Sequence, residues 1–423
     1  MSPSSPVAGA VANNAGPWTA RWLGVVAIFV VVMTPLLAYL APLGFAPLMA
    51  LAGVLVLPSL KLTRAAAPPL LILVALVLWA AVSMTWSPVI LGPLRPKNYG
   101  DIETLTALKL ALQLATYGAA VIALRELSEA AAERAATILA YGLVGLAVLT
   151  GLDAMMGATI YLKLHVVTGE AMRPDIAMVK VSLATYALAL LFWPACMVLS
   201  RRQRPQLILL LLVGTVVTSK VTSSDACLAA LVVGAFAWLT VRCLGQIGAK
   251  VLVGLIAIPF VTAPLAVLVG VQTGVVAWMH RMLPASWDAR LDIWAFAADH
   301  IQTHPFRGWG LDASRTFGAA IPLHTHNGEL QLWLELGAVG AALAGVFFCW
   351  LAYGVVRLAQ RSRSEAAMAA GALVSYLVIG AISFGIWQEW WIALGALALI
   401  ACGMARAGGV EDHGNLGELT PLG

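Results

Sequence analysis

The stretch LQLWLELGAVGAALAGVFFCWLAYGVV, residues 330–356, decides the fold. It holds one charged residue, Glu335. A helix rises about 1.5 Å per residue, so this segment is longer than the roughly 30 Å of hydrocarbon in a bilayer. It reads as a membrane span. Directly before it stands PLHTHN, residues 322–327. A polar cluster with two histidines therefore opens onto the mouth of a span, and Asn327 is suited to cap that helix.

The composition says the same of the whole chain. Of its 423 residues 61% are hydrophobic and only 11% charged, and the mean hydropathy is +0.90. That balance excludes a soluble globular protein and makes hydrocarbon and membrane lipids the surroundings of most side chains. The net charge of +5 is small and spread along the chain. It speaks for topology, with no nucleic-acid partner. The five cysteines, Cys196, Cys227, Cys243, Cys349 and Cys402, lie in or beside apolar segments and form no CxxC pair. Free thiols are expected, with no disulfide framework and no thiolate metal site.

Twelve apolar stretches have the length or character of spans: 22–40, 43–60, 68–87, 105–124, 135–152, 181–199, 206–219, 226–241, 251–278, 330–356, 366–386 and 390–405. The seventh and eighth are short, and the ninth is long enough to bend at Pro259 or Pro264. Residues 1–17, MSPSSPVAGAVANNAGP, lack a charged n-region, so residues 1–21 read as a disordered tail and the apolar segment after Arg21 as a retained span. The expected domain is 22–405, with a second tail over 406–423.

Lys and Arg fall on alternate connections: KLTR at 61–64, Arg125 with Arg134, RRQR at 201–204, Arg242 with Lys250, and RLAQRSR at 357–363. By the positive-inside rule those connections and both termini are cytoplasmic. The long connections 88–104, 153–180 and 279–329 then face outward, the periplasm in a cell with two membranes. The expected class is an all-α, polytopic integral membrane protein of about twelve transmembrane helices. Its large outward loop, between helices 9 and 10, contains an amphipathic helix.

Lys180, Lys220, Asp225, Arg290 and Glu389 all fall near membrane depth on the outward side. Such groups are costly unless paired, snorkelling at the headgroups or facing an aqueous cavity. In the large loop, PASWDARLDIWAFAADHIQTHPFRGWG has Ser286 as a cap after Pro284 and an apolar stripe of Leu291, Trp294, Ala298 and Ile301. The pattern predicts a helix lying along the membrane surface, ended by Pro305, with Gly308 and Gly310 in a tight turn. Arg290 in its first turns can grip a phosphate with two parallel hydrogen bonds, or pair at the rim with Asp288, Asp292 or lipid.

The HTHN cluster admits two chemistries beside that of plain surface histidines. A neutral imidazole at His326 can take a proton from a hydroxyl nucleophile. His324 and His326 could also begin a metal site, with His300, His304 or Asp299 as third ligand, although the spacing of a zinc motif is missing.

Taken together, Arg290, Trp294, His304-Pro305, Gly308, Gly310, His326-Asn327 and Glu335-Leu336-Gly337 resemble the signature region of the O-antigen ligase and polymerase superfamily. The resemblance implies a GT-C-like glycosyltransferase fold. His326 is then similar to the family's catalytic histidine, a base for an acceptor sugar hydroxyl. Arg290 resembles the arginine that holds the donor's pyrophosphate, helped by basic residues of other outward connections, here Lys220, Arg173 and Lys180. Glu389, in WQEWW, is placed like a family acidic residue that orients the histidine or the acceptor. His324 and Asn327 support. One departure stands out: Asp225 occupies the place expected for an arginine at the start of the eighth span.

The function so implied is metal-independent, inverting transfer of O-antigen polysaccharide from undecaprenyl diphosphate to lipid A-core, without a cofactor. The sequence lacks an acidic DxD-type pair. The superfamily's polymerase and its protein O-oligosaccharyltransferase are the near alternatives, separated only by loop sizes. A transporter is the distant one, disfavoured because no internal repeat is evident.

Overall fold

The computed structural model describes residues 17–92, 105–167, 169, 172–284 and 287–407. Among these residues the chain is helical and contains no strand. The helices are α1 (Pro17–Leu40), α2 (Phe45–Val56), α3 (Ala67–Ser83), α4 (Pro88–Leu91), α5 (Thr106–Leu124), α6 (Glu129–Met155), α7 (Thr159–Val167) and α8 (Pro174–Arg201). They continue as α9 (Pro205–Val221), α10 (Asp225–Leu244), α11 (Gln246–Gln272), α12 (Val275–Met282), α13 (Asp288–Ile301), α14 (Gly328–Ala359), α15 (Arg363–Ile382) and α16 (Glu389–Ala407).

Among the described residues eleven segments are long and apolar enough to cross a membrane, and the shorter apolar α9 lies between two of them. The protein is a multi-pass membrane protein. Its surface is apolar where lipid would touch it. Leu71, Val74, Leu78 and Val82 form an exposed stripe on α3, and Leu255, Ile258, Val261 and Leu265 another on α11. In water such stripes would be an aggregation hazard; in hydrocarbon they are the required outer face.

Three boundaries differ from the sequence reading. The chain enters α1 at Pro17, so residues 17–21 of the expected tail are helical; residues 1–16 and 408–423 lie outside the described residues. The ninth span stops at Gln272 and continues helically through both prolines. Gly274, at φ +78°, then turns the chain into α12 as a separate short helix. The eighth span reaches 20 residues.

Two apolar clusters hold the bundle. One is built from α1, α2, α5, α6, α8 and α16 around residues such as Met49, Leu143, Leu188 and Trp391. The other joins α3, α10, α11, α14 and α15 around Leu252, Leu336 and Phe348. Ion pairs sit at the ends. At one end Glu365 at the start of α15 meets Arg406 (2.9 Å) and Arg201 (3.6 Å), and Glu133 meets Arg202 (2.7 Å). At the other end Lys109 of α5 meets Glu389 of α16 at 2.5 Å. This second end bears the long connections and the histidine cluster.

The helix expected on the membrane surface exists as α13, but its apolar face is not turned to lipid. Ile293, Ala297 and Ile301 pack with Ile321, Leu330 and Leu334 in a third cluster against α14. The stripe is buried in protein because the chain after Ile301 folds back over it. Ser286, its expected cap, lies outside the described residues. The exposed apolar side chains nearby are those of α12, Val275, Trp278 and Met282.

Candidate functional site

The signature glycines exist for a close crossing of backbones. Helix α14 is broken at Gly337, whose φ of +64° and ψ of −165° are non-helical. Residues 305–310 run through the break. Trp309 N–H donates to Leu334 O (2.8 Å) and Gly310 N–H to Glu335 O (2.7 Å), while Ala338 N–H donates to Pro305 O (2.8 Å). The carbonyls and amides that a broken helix leaves unsatisfied are thus taken up by the crossing segment. A Cβ at Gly337 would lie 2.3 Å from Phe306 O, and one at Gly308 2.4 Å from Glu335 O. Only glycine fits either place.

Beside the crossing Glu335 is fully buried and accepts four hydrogen bonds. Ser314 Oγ (2.6 Å) and Gln331 Nε2 (3.1 Å) donate to Oε1. Trp387 Nε1 (2.6 Å) and Asp312 N–H (3.1 Å) donate to Oε2. One carboxylate therefore ties the large loop, the first half of α14 and the segment before α16 together.

On this frame sits PLHTHN. Asn327 caps α14, its Oδ1 accepting from Leu330 N–H at 2.8 Å. Trp294 of α13 donates to Thr325 O at 2.9 Å and fixes the segment from the side. His326 takes φ +53°, the left-handed region, which costs a non-glycine residue of order 1 kcal/mol or more. Its N–H donates to His324 Nδ1 at 3.1 Å, and the two rings lie 4.1 Å apart, centroid to centroid. Its own Nδ1 lies 2.9 Å from the carbonyl of Ser383.

A carbonyl can only accept, so Nδ1 carries the proton and Nε2 keeps its lone pair. Burial holds the His326 pKa below the usual 6.5, and the Arg290 charge adds to this; the Ser383 hydrogen bond works against it. At neutral pH His326 is thus an uncharged imidazole with Nε2 as a base. His324 is pushed down further, to about 3, by burial first and then by the charges of His326, Arg315 and Arg290. Since its Nδ1 accepts from His326, its proton sits on Nε2, and the Gln388 side-chain amide 3.1 Å away accepts it with its otherwise unpartnered oxygen turned toward the ring.

The other predicted residues fall at the same end of the bundle with different surroundings. Arg290 stacks over Trp287, 5.1 Å from its centroid, and makes no ion pair with Asp288 or Asp292 among the described residues; those carboxylates face His280 at 3.0 and 3.5 Å. Lys180 is in the first turns of α8, and Lys220 is exposed in the last turn of α9, just before Asp225 opens α10. Arg173 is exposed and held by Asp175 at 2.8 Å. Glu389 is taken by Lys109, so the group that orients the His326 ring is the Ser383 carbonyl.

The histidines do not come together around a metal position. His300 stacks on Phe296, and His304 packs on Trp309. Among the described residues no group of three or more His, Cys, Asp or Glu side chains is placed to hold a metal ion.

Sequence reasoning passed over Lys109, Gln113, Asp312, Arg315 and Gln388. Together with His324, Trp387 and Glu389 they line a cavity of about 280 Å³ beside the histidine pair. Lys109 had a signal: a lysine inside an apolar helix is costly unless it has a partner.

Comparison with known proteins agrees with this frame. Residues 176–345 match the model of a family described as O-antigen ligase. This segment, about two fifths of the chain, is what is similar to the O-antigen ligase family. The match takes in Lys180, Lys220, Arg290 and His326, and ends inside α14. Curated relatives named "Putative polysaccharide ligase" in Rickettsia conorii and Rickettsia prowazekii are each 35% identical over 127 residues. That similarity covers 26% of this chain and 30% of each relative, so the matched region spans under a third of their length. Lys109, Ser383, Gln388 and Glu389 lie outside the family segment.

Proposed function

We propose that the protein is a glycosyltransferase that moves O-antigen polysaccharide from undecaprenyl diphosphate to a sugar hydroxyl of lipid A-core. In this reading the histidine end of the bundle faces the periplasm, the bundle sits in the inner membrane, and both termini are cytoplasmic. The observation that carries it is the tautomer of His326: a neutral imidazole with Nδ1 spent on Ser383 and Nε2 free, at the mouth of a span.

His326 Nε2 takes the proton of the acceptor hydroxyl as its oxygen bonds to the donor's anomeric carbon. The bond from that carbon to the diphosphate oxygen breaks, and its electron pair leaves with the diphosphate. In-line attack inverts the anomeric centre. The leaving group gains charge in the transition state, and Arg290 meets it with a planar fork suited to phosphate. Lys180 and Lys220 add fixed positive charge from the ends of α8 and α9. Arg173 contributes after release from Asp175. Lys220 stands in for the family's arginine at the start of the eighth span. The polyprenyl tail stays among the helices, which explains why the site lies at a span mouth. The names of the relatives favour ligase over polymerase.

The test is made in cells depleted of this protein that carry an O-antigen pathway it serves. With His326→Ala in place of wild type, lipopolysaccharide should be bare core while long chains accumulate on the carrier. Core bearing one repeat unit and no ladder would instead mark the protein as the polymerase.

A further inference from the structure

The cavity of about 280 Å³ is lined, apart from His324 and Glu389, by residues with no role in the reaction assigned so far. Its size is near the lower end of small-molecule pockets, roughly 300–1,000 Å³. Its charges are already spent. Lys109 is bound to Glu389 at 2.5 Å, and Arg315 lies 3.6 Å from Asp312. A phosphate or carboxylate entering it would meet two acidic side chains, and a cation would meet two basic ones.

What the cavity leaves open is hydrogen-bond acceptors. Gln113 is 8% exposed and Asp312 2% exposed. Both line the cavity, yet Gln113 Oε1 and Asp312 Oδ2 are buried without a hydrogen-bond partner. Two buried acceptors left open in one cavity are costly unless a ligand satisfies them. Trp387 also lines it, an aromatic wall suited to the C–H face of a pyranose. Neutral, rich in hydroxyl donors and flat on one face: that is a sugar ring.

We propose that this cavity is a monosaccharide subsite that holds a neutral ring of the acceptor glycan, with vicinal hydroxyls on Gln113 and Asp312. The assignment to the acceptor rests on the function proposed above. The donor's diphosphate needs unpaired positive charge, which Arg290 offers and this cavity does not. The cavity reaches His324, whose ring is 4.1 Å from that of His326, so a ring seated here presents its neighbouring hydroxyl toward the base.

The experiment uses full-length protein in nanodiscs. Saturation-transfer NMR is recorded with methyl α-glucoside, methyl β-galactoside and methyl α-mannoside as probes, and with glucuronate and inorganic phosphate as charged controls. At least one neutral glycoside should bind saturably. Binding should fall about ten-fold in Gln113→Leu, as expected when one or two hydrogen bonds are lost. It should fall similarly in Leu43→Trp, which adds bulk at an exposed residue of the rim. Binding only of the charged probes, or glycoside binding unchanged in both variants, would overturn the subsite.

The assay needs no turnover, so His326→Ala should still bind the glycoside; its failure and failure of the transfer reading are separate results. In a transfer assay both variants should raise the acceptor KM about ten-fold while the donor KM holds. A rise in the donor KM instead would place a donor ring in the cavity and overturn the acceptor assignment.

Discussion

Replacing Glu335 with glutamine changes one atom type at the centre of the frame and should open the site. The carboxylate accepts from Ser314, Gln331, Asp312 N–H and Trp387. A carboxamide offers one oxygen and turns an NH2 toward the remaining pair. Its best orientation keeps the oxygen on Asp312 N–H and Trp387, because Ser314 can rotate its hydroxyl to accept. Gln331 cannot follow, since its Oε1 already accepts from Ile386 N–H at 2.9 Å. One hydrogen bond is lost and two NH2 groups face each other in a fully buried place, a cost of about 2–4 kcal/mol. The strain falls on the join between α14 and the 383–388 segment, which carries Ser383 and Gln388. Purified Glu335→Gln should therefore melt lower than wild type in detergent and transfer more slowly at saturating substrates. A variant with wild-type melting temperature and wild-type rate would refute the claim that this carboxylate holds the site together.

Gly337→Ala should fare worse than an alanine elsewhere in α14. Its Cβ would lie 2.3 Å from Phe306 O at a backbone conformation reserved for glycine, so a loss of at least ~1–3 kcal/mol is expected, read as lower yield of folded protein. The pH dependence follows from His326. Its folded pKa lies below 6.5, so kcat/KM should stay level from pH 8 to about 6.5 and fall only in more acid solution; an acid limb centred above pH 7 would contradict a buried neutral base. His324 adds a stability effect of the same sign. The unfolded chain binds its proton near pH 6.5 and the folded one near 3, so native stability is complete above 6.5 and falls by up to about 1.4 kcal/mol per pH unit within that window. Thermal melts at pH 7 and pH 5, compared with His324→Gln, measure it.

Most of the architecture was legible because hydrocarbon is a demanding solvent. It requires long apolar helices and punishes charge, so spans and their alternation appear in one-dimensional pattern. The Asn327 cap was legible for a local reason: it sits three residues before the amide it satisfies. What stayed hidden depends on distant partners. Ser383 acts through its carbonyl, which leaves no mark in a side-chain pattern. Lys109 and Glu389 meet across 280 residues of sequence. The stripe on α13 shows the same apolar spacing whether it faces lipid or the protein fold over it. The motif glycines were visible as letters, but their cause, two backbones crossing at Gly308 and Gly337, exists only in three dimensions.

The central claim is that His326 Nε2 is the base of a transfer reaction. It is tested most directly with purified wild type and His326→Ala in proteoliposomes supplied with lipid-linked polysaccharide and core acceptor. The account predicts that His326→Ala folds, binds donor and acceptor as wild type does, and transfers about 10²–10⁴-fold more slowly. Full transfer by a folded His326→Ala protein would contradict it.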